Sequence, residues 1–318
     1  MLPNFSKSRI LVIGDVMLDH YIWGDATRIS PEAPVPVVSV ERDSFVSGGA
    51  ANVACNLAGL GVETRILGSY GPDDGGNRLG AMLSEQGIGL DSLGCRGSVS
   101  TIVKTRVLVQ RQQMCRIDRE GLKDGYEISS EASIQKLISD LKPNAVVISD
   151  YAKGVITDSL LITVRDSVRA LGQEAFIAMD PKPRNEVDLS CADIITPNRA
   201  EALELAQMRE TRGAIFDGTR VCRKIYQRFG IDRILVTLGA DGMLLCEGGR
   251  VTGNIPAQAR EVFDVSGAGD TVIAVLTAGM AIGMSFEEAA ILANSAAGVV
   301  VGHLGTVPVR LSELCPSH

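Results

Sequence analysis

From residue 130 onward, short apolar runs alternate with helix-length stretches, and this alternation constrains the fold more than any other feature of the sequence. A helix over 131–141 precedes Ala145-Val-Val-Ile-Ser-Asp150, and one over 157–171 precedes Glu174-Ala-Phe-Ile-Ala-Met-Asp180. Asp193-Ile-Ile-Thr-Pro-Asn198 leads into a helix starting near Asn198, and a helix over 215–229 precedes Arg233-Ile-Leu-Val-Thr-Leu-Gly239. Arg9-Ile-Leu-Val-Ile-Gly-Asp15 is a further run of the same kind. Unbroken apolar runs of this length read as parallel strands buried on both faces. Strand–helix repetition then gives a doubly wound, mostly parallel α/β sheet with right-handed crossovers. Polar residues recur at the carboxyl ends of these strands: Asp15, Asp150, Asp180, Asn198 with Glu201, and Thr237 with Gly239. Ligands of open α/β sheets bind at those ends, so the row is read as a site.

Two segments do not fit the alternation. Ile29-Ser-Pro-Glu-Ala-Pro-Val-Pro-Val-Val38 is too rich in proline for a central strand and suits an edge strand or clasp. Thr101-Ile-Val-Lys-Thr-Arg-Val-Leu-Val-Gln110 is strand-like, carries Lys104 and Arg106 on one face, and is followed by Met114-Cys-Arg-Ile-Asp118. Together they predict a small β-sheet lid formed from about 16–45 and 98–120. The 318 residues thus make one large domain with this lid as its subdomain.

Composition narrows the class. The net charge of −7 and an aromatic content of 4% argue against a nucleic-acid partner. Seven Cys residues at irregular spacing, without C-x-x-C, read as thiols in a reducing compartment. The three His residues leave little for a transition-metal site. The N-terminus lacks a signal-peptide core and no apolar run reaches membrane-spanning length, so a cytoplasmic location without membrane association is expected.

The chemistry concentrates in Glu261-Val-Phe-Asp-Val-Ser-Gly-Ala-Gly-Asp-Thr271, followed by an apolar helix expected over 270–282 and a second over 286–301. Gly267, Ala268 and Gly269 precede a helix start, where free N–H groups and the positive end of the dipole favour an anion. Asp270 at the same place suits a phosphoryl-transfer site in which a carboxylate takes the proton of the attacking hydroxyl. An ordinary tight connection with Asp as N-cap is the competing reading. Ser47-Gly-Gly-Ala-Ala-Asn52 opens a second helix of small residues, closed by Gly61. There is no P-loop, and no G-x-G-x-x-G follows the first strand.

Gly48-Gly-Ala-Ala-Asn52, then Asn198-x-x-Glu201, then Asp264-Val-Ser-Gly-Ala-Gly-Asp270 resemble, in that order, the ribokinase-like (PfkB) carbohydrate kinases over almost the whole chain. Val265 replaces the Thr usual in the last motif. Gly14-Asp-Val-Met-Leu-Asp-His-Tyr-Ile-Trp-Gly24, Arg28-Ile-Ser-Pro-Glu-Ala-Pro-Val-Pro-Val37 and Ser149-Asp-Tyr-Ala-Lys-Gly154 are similar to the branch that phosphorylates D-glycero-β-D-manno-heptose 7-phosphate at O1, for lipopolysaccharide synthesis. The resemblance implies ATP and Mg²⁺ as cofactors and a form without a fused adenylyltransferase. It implies Asp270 as base and the amides of Gly267, Ala268 and Gly269 as anion hole. Asn198 and Glu201 would position Mg²⁺, Glu201 through water. Thr237, Gly239, Ala240, Gly242 and Asn294 would hold the nucleotide. Asp15, Asp19, Gly48, Gly49 and Asn52 would bind sugar hydroxyls, with Arg106, Lys153 and Lys182 as candidates for the 7-phosphate. A homodimer through the exposed edges of the lid is expected. A kinase of another sugar and a non-catalytic sugar or nucleotide sensor are the alternatives.

Overall fold

The computed structural model describes residues 3–110, 112–172, 175–209, 216–258, 263–303 and 305–314. The chain opens with β1 (Arg9–Gly14), passes through Asp15 into β2 (Val16–Ile29), and returns along β3 (Pro36–Gly49) directly into α1 (Ala50–Gly59). Then follow β4 (Glu63–Leu67), α2 (Asp74–Glu85), β5 (Gly89–Leu90), β6 (Ile102–Val109) and β7 (Gln112–Arg119). The alternating part comprises α3 (Glu131–Leu141), β8 (Ala145–Ser149), α4 (Asp158–Ala170), β9 (Phe176–Asp180), β10 (Ile194–Ile195), α5 (Arg199–Leu205), α6 (Gly218–Phe229) and β11 (Arg233–Thr237). β12 (Met243–Glu247), β13 (Arg250–Ile255), α7 (Ala268–Ala281) and α8 (Phe286–Val300) come last.

Nine strands form one sheet in the order β13-β12-β11-β10-β9-β8-β1-β4-β5. From β11 to β5 all pairs are parallel, and β12 and β13 add an antiparallel edge. The central strands carry unbroken apolar runs, such as Ile10–Ile13 and Ala145–Ile148, because both faces are covered. Ile10 and Val12 of β1 pack into the core shared with α1, α7 and α8, whereas Leu11 and Ile13 pack into the core shared with α3, α4 and α6. This is the period-2 alternation of a strand buried on both sides.

The remaining four strands form a separate sheet in the order β3-β2-β6-β7. The Pro-rich run lies at its margin: residues 31–35 are bends between β2 and β3, and the pairing resumes at Ile29 opposite Pro36. β6 lies parallel to β2, with Asp19 beside Lys104 and Tyr21 beside Arg106, so these four residues share one face.

The structure differs from the sequence reading at several elements. α2, absent from the sequence reading, is capped by Asp73, whose side chain accepts from Gly76 N–H; the run Gly75-Gly76 hid its apolar positions Leu79 and Leu83. The β12–β13 hairpin was not anticipated. Of the expected strand 193–198, Ile194 and Ile195 form β10, and Asn198 adds an isolated parallel bridge to Thr237. Expected boundaries at Glu174, residue 215 and Glu261, and Cys315, lie outside the described residues. Cys222 of α6 and Cys246 of β12 are not free thiols but form a disulfide. Their contact arises where α6 packs on the edge of the sheet, which chain spacing does not reveal. Among the described residues no helix is long and apolar enough to cross a membrane.

Candidate active site

Asp270 is the third residue of α7 and Asn52 the third residue of α1. The two helix starts meet, and Asn52 Nδ2 donates to Asp270 Oδ2 at 2.8 Å. The Asn52 amide has one orientation that satisfies its surroundings, because its Oδ1 accepts from Asn56 Nδ2 at 3.3 Å. Asn56 in turn accepts from Thr271 Oγ1 and from Val309 N–H. A buried, mutually satisfied network of this kind holds its members in one geometry.

The other oxygen of Asp270 is also held: Tyr151 Oη donates to Oδ1 at 2.7 Å. Tyr151 was not among the residues singled out from the sequence. Its sequence signals were its place just after the strand-end Asp150 and within the run 149–154. Asp270 is 4% exposed. Burial pushes its carboxyl up to about 6, against the pull of the Asn52 and Tyr151 hydrogen bonds; the Asp19 carboxylate adds to the rise and the Lys104 ammonium opposes it. Burial and the neighbouring Asp270 carboxylate hold the Tyr151 phenol well above its ordinary value, so it remains a donor.

At the start of α7, Ala268 N–H is taken by Val265 O at 3.3 Å and Thr271 N–H by Gly267 O at 3.0 Å. The N–H groups of Gly267 and Gly269 have no acceptor among the described residues. Gly267 has a φ of 78°, and a Cβ there would lie 2.7 Å from Thr306 Cγ2 and 2.8 Å from Asn52 Nδ2. Glycine is therefore required both by the backbone and by the closeness of Asn52.

The second sheet covers this group. Asp19 is 6% exposed and forms an ion pair with Arg106, whose guanidinium lies 5.3 Å from the Tyr21 ring centroid. Gly48 and Gly49 pair with Met17 and Val16, and Gly48 lies against the Asp19 carboxylate. Lys153 pairs with Glu120. Lys104, which the sequence reading left as a strand-face residue, makes no ion pair among the described residues; its Nζ sits 5.5 Å from the Tyr151 ring centroid. Burial lowers the Lys104 ammonium from its ordinary value, with Asp19 acting the other way.

Two expected placements change. Asp15 is 1% exposed, and its carboxylate accepts from the backbone N–H groups of Tyr151 (2.8 Å), Lys153 (3.1 Å) and Val155 (3.2 Å). It therefore braces the 151–155 turn instead of facing an open site. Lys182 does not join Arg106 and Lys153 but bonds Glu201 Oε1 at 2.5 Å. A short turn after β9 carries it toward α5, which strand order alone did not indicate. Burial and the neighbouring Glu201 and Asp270 carboxylates hold Asp180 well above the usual carboxylate range.

Asn198 caps α5 in a reciprocal capping box: Asn198 Oδ1 accepts from Glu201 N–H and Glu201 Oε2 accepts from Asn198 N–H, both at 3.0 Å. Thr237 N–H bonds Pro197 O at 3.0 Å, placing the end of β11 beside this cap. Gly239, Ala240 and Asp241 form a short turn closed by Gly242, whose φ is 88° and whose missing Cβ leaves room for the backbone of 255–257. Asn294 Nδ2 donates to Pro256 O at 3.0 Å. Gly242 and Asn294 thus converge on one backbone segment from two elements.

The architecture has solved counterparts. A ribokinase from Thermotoga maritima superposes with a TM-score of 0.73 at 20% identity, covering 96% of this chain and 97% of its own. An Arabidopsis thaliana ribokinase complexed with ribose and ATP gives 0.72 at 21% identity, with coverage of 96% and 97%. The fold is therefore ribokinase-like. A model described as pfkB family carbohydrate kinase matches residues 7–312, and the chain belongs to that family. It is 43% identical over 315 residues to the bifunctional protein HldE of Magnetococcus marinus, covering 98% of this chain and 64% of that protein. It is 40% identical over 311 residues to its namesake from Desulfatibacillum aliphaticivorans, covering 98% and 63%. The chain thus spans less than two thirds of the length of these relatives. It is a sugar kinase by family.

Proposed function

We propose that the protein transfers the γ-phosphoryl group of ATP to a hydroxyl of a phosphorylated sugar, with Asp270 as the base. The observation that carries this is the Asp270 carboxylate, buried at the start of α7, fixed through both oxygens and roofed by a cationic sheet face. As the sugar oxygen forms its bond to the γ-phosphorus, the bond from that phosphorus to the ADP oxygen breaks and ADP leaves, while the sugar O–H breaks and its proton passes to Asp270. The free N–H groups of Gly267 and Gly269, with the α7 dipole, stabilise the charge that develops on the transferred group. Asp19 accepts from sugar hydroxyls.

The residues present fit a nucleotide and a divalent cation. Thr237, Gly239, Ala240 and Gly242 supply a turn open to a phosphate or base, and Asn294 closes the far side. Among the described residues no three His, Cys, Asp or Glu side chains are grouped to hold a metal ion. Mg²⁺ would therefore be held mainly by the nucleotide phosphates and water, with Glu201 holding it through water, and would neutralise phosphate charge.

The sugar is proposed to be D-glycero-β-D-manno-heptose 7-phosphate, phosphorylated at O1. Support comes from the branch-level resemblance of residues 14–24, 28–37 and 149–154. It also comes from the cations around Asp270. Arg106 and Lys153 already answer carboxylates, so Lys104, lacking one, is the added candidate for the 7-phosphate. The second sheet is proposed as lid and as dimer contact.

The test is ADP release with Mg-ATP against heptose 7-phosphate, fructose 6-phosphate, ribose, adenosine and no sugar. Turnover is expected with heptose 7-phosphate alone. Asp270→Asn should bind the sugar and lose roughly 10²–10⁴ in rate. Turnover with a different sugar would discard the phosphate assignment, and sugar binding without turnover would favour a sensor.

A further inference from the structure

We propose that Tyr151 is a positioning residue that holds the Asp270 carboxylate in its proton-accepting orientation, and that Asp15 builds the turn that aims it. This rests on reading Asp270 as the base. An ionised carboxylate is acceptor-only, with about four lone-pair sites on its two oxygens. Asn52 uses one site on Oδ2 and Tyr151 one on Oδ1. Two donors, one on each oxygen, fix the carboxylate plane and leave lone pairs free for a substrate hydroxyl. With Asn52 alone the group could swing about its own axis.

The turn is built for this purpose. Asp150 accepts from Ala152 N–H at 2.7 Å, and Ala152 takes a φ of 55°, so the chain reverses immediately after Tyr151. Asp15 gathers the N–H groups of residues 151, 153 and 155. Arg184 Nη2 donates to Tyr151 O at 3.1 Å from the other side.

The hydroxyl also favours the charged form of its partner. The other titratable groups facing Asp270 are Asp19 on β2, Lys104 on β6 and Asp180 at the end of β9. Tyr151→Phe leaves all three in place and keeps the ring under Lys104. Removing one hydrogen bond to a buried carboxylate should raise its titration by about one to two pH units.

The experiment has two arms. Carboxyl ¹³C titration of the free, Asp-labelled protein should show a resonance absent from Asp270→Asn that titrates near 6. In Tyr151→Phe it should move up by about one to two pH units. In the kinetic arm, the acid limb of kcat/KM should move by the same amount. At high pH kcat should fall about 10-fold while the sugar KM holds, as expected of a misaligned base. An Asp270 titration that stays in place overturns the proposal, whatever the turnover. So does a loss of rate carried by KM. Wild-type protein that turns over no sugar defeats the kinase reading instead, and the titration arm still decides the role of Tyr151.

Discussion

In its proposed role as base, Asp270 sets function against stability within a single residue. In the folded chain its carboxyl keeps its proton up to about 6, whereas in the unfolded chain it releases it near 3.8. Between these values the native state binds more protons, so stability present below 3.8 is lost as pH rises through 6. Asp270→Asn carries no such loss. Its stability relative to wild type should improve from pH 5 to pH 8 by on the order of 1 kcal/mol. Urea unfolding at the two pH values reads this directly, and an unchanged difference would contradict it. The place of Asp270 was legible because the local sequence supplies everything: glycines, a helix start and a carboxylate. Tyr151 was not, since 119 positions separate it from Asp270. Asp15 and Lys182 were legible as polar residues at strand ends. Their partners were not, because a carboxylate that binds ligand and one that binds three amides have the same sequence signature.

At the scale of the element, the starts of α1 and α7 behave as one unit. Gly267 lies in the left-handed region and touches Asn52, so an added methyl strains the turn and displaces the Asn52 amide together. Gly267→Ala should cost about 1–2 kcal/mol in stability. It should also lower kcat roughly 10- to 100-fold through misalignment of the base. A variant that loses stability but keeps kcat would separate the helix start from the chemistry. Strong apolar periodicity made α3, α4, β8 and β11 readable to within one or two residues. α2 escaped notice because Asp73-Asp74-Gly75-Gly76 has the composition of a loop, although Asp73 is its N-cap. β12 and β13 escaped because an antiparallel edge lies outside the βα rhythm that revealed the other strands.

At the scale of the molecule, the second sheet leaves β3 and β7 as outer strands and exposes Val40 (62%), Ile117 (58%) and Met114 (45%). Unpaired edges with apolar side chains favour a partner, and a second copy of the same chain offers a self-complementary one. Light scattering should give twice the chain mass of 33.7 kDa, and Val40→Lys with Ile117→Lys should return the monomer. A monomer for the wild type at micromolar concentration would count against the arrangement. Asp15 alone separates β1 from β2, and no residue separates β3 from α1, while Ala50 N–H bonds Asp15 O at 3.0 Å. The β2–β3 pair of the second sheet is thus spliced into the main one at a single seam, three residues from Asn52. Extra sequence can be accepted at the bends of 31–35, where the backbone is exposed, but not at the seam, where one added residue would turn every side chain of β2 to the opposite face. Insertion into the β2–β3 pair is therefore confined to its rim, and its root can change only by substitution.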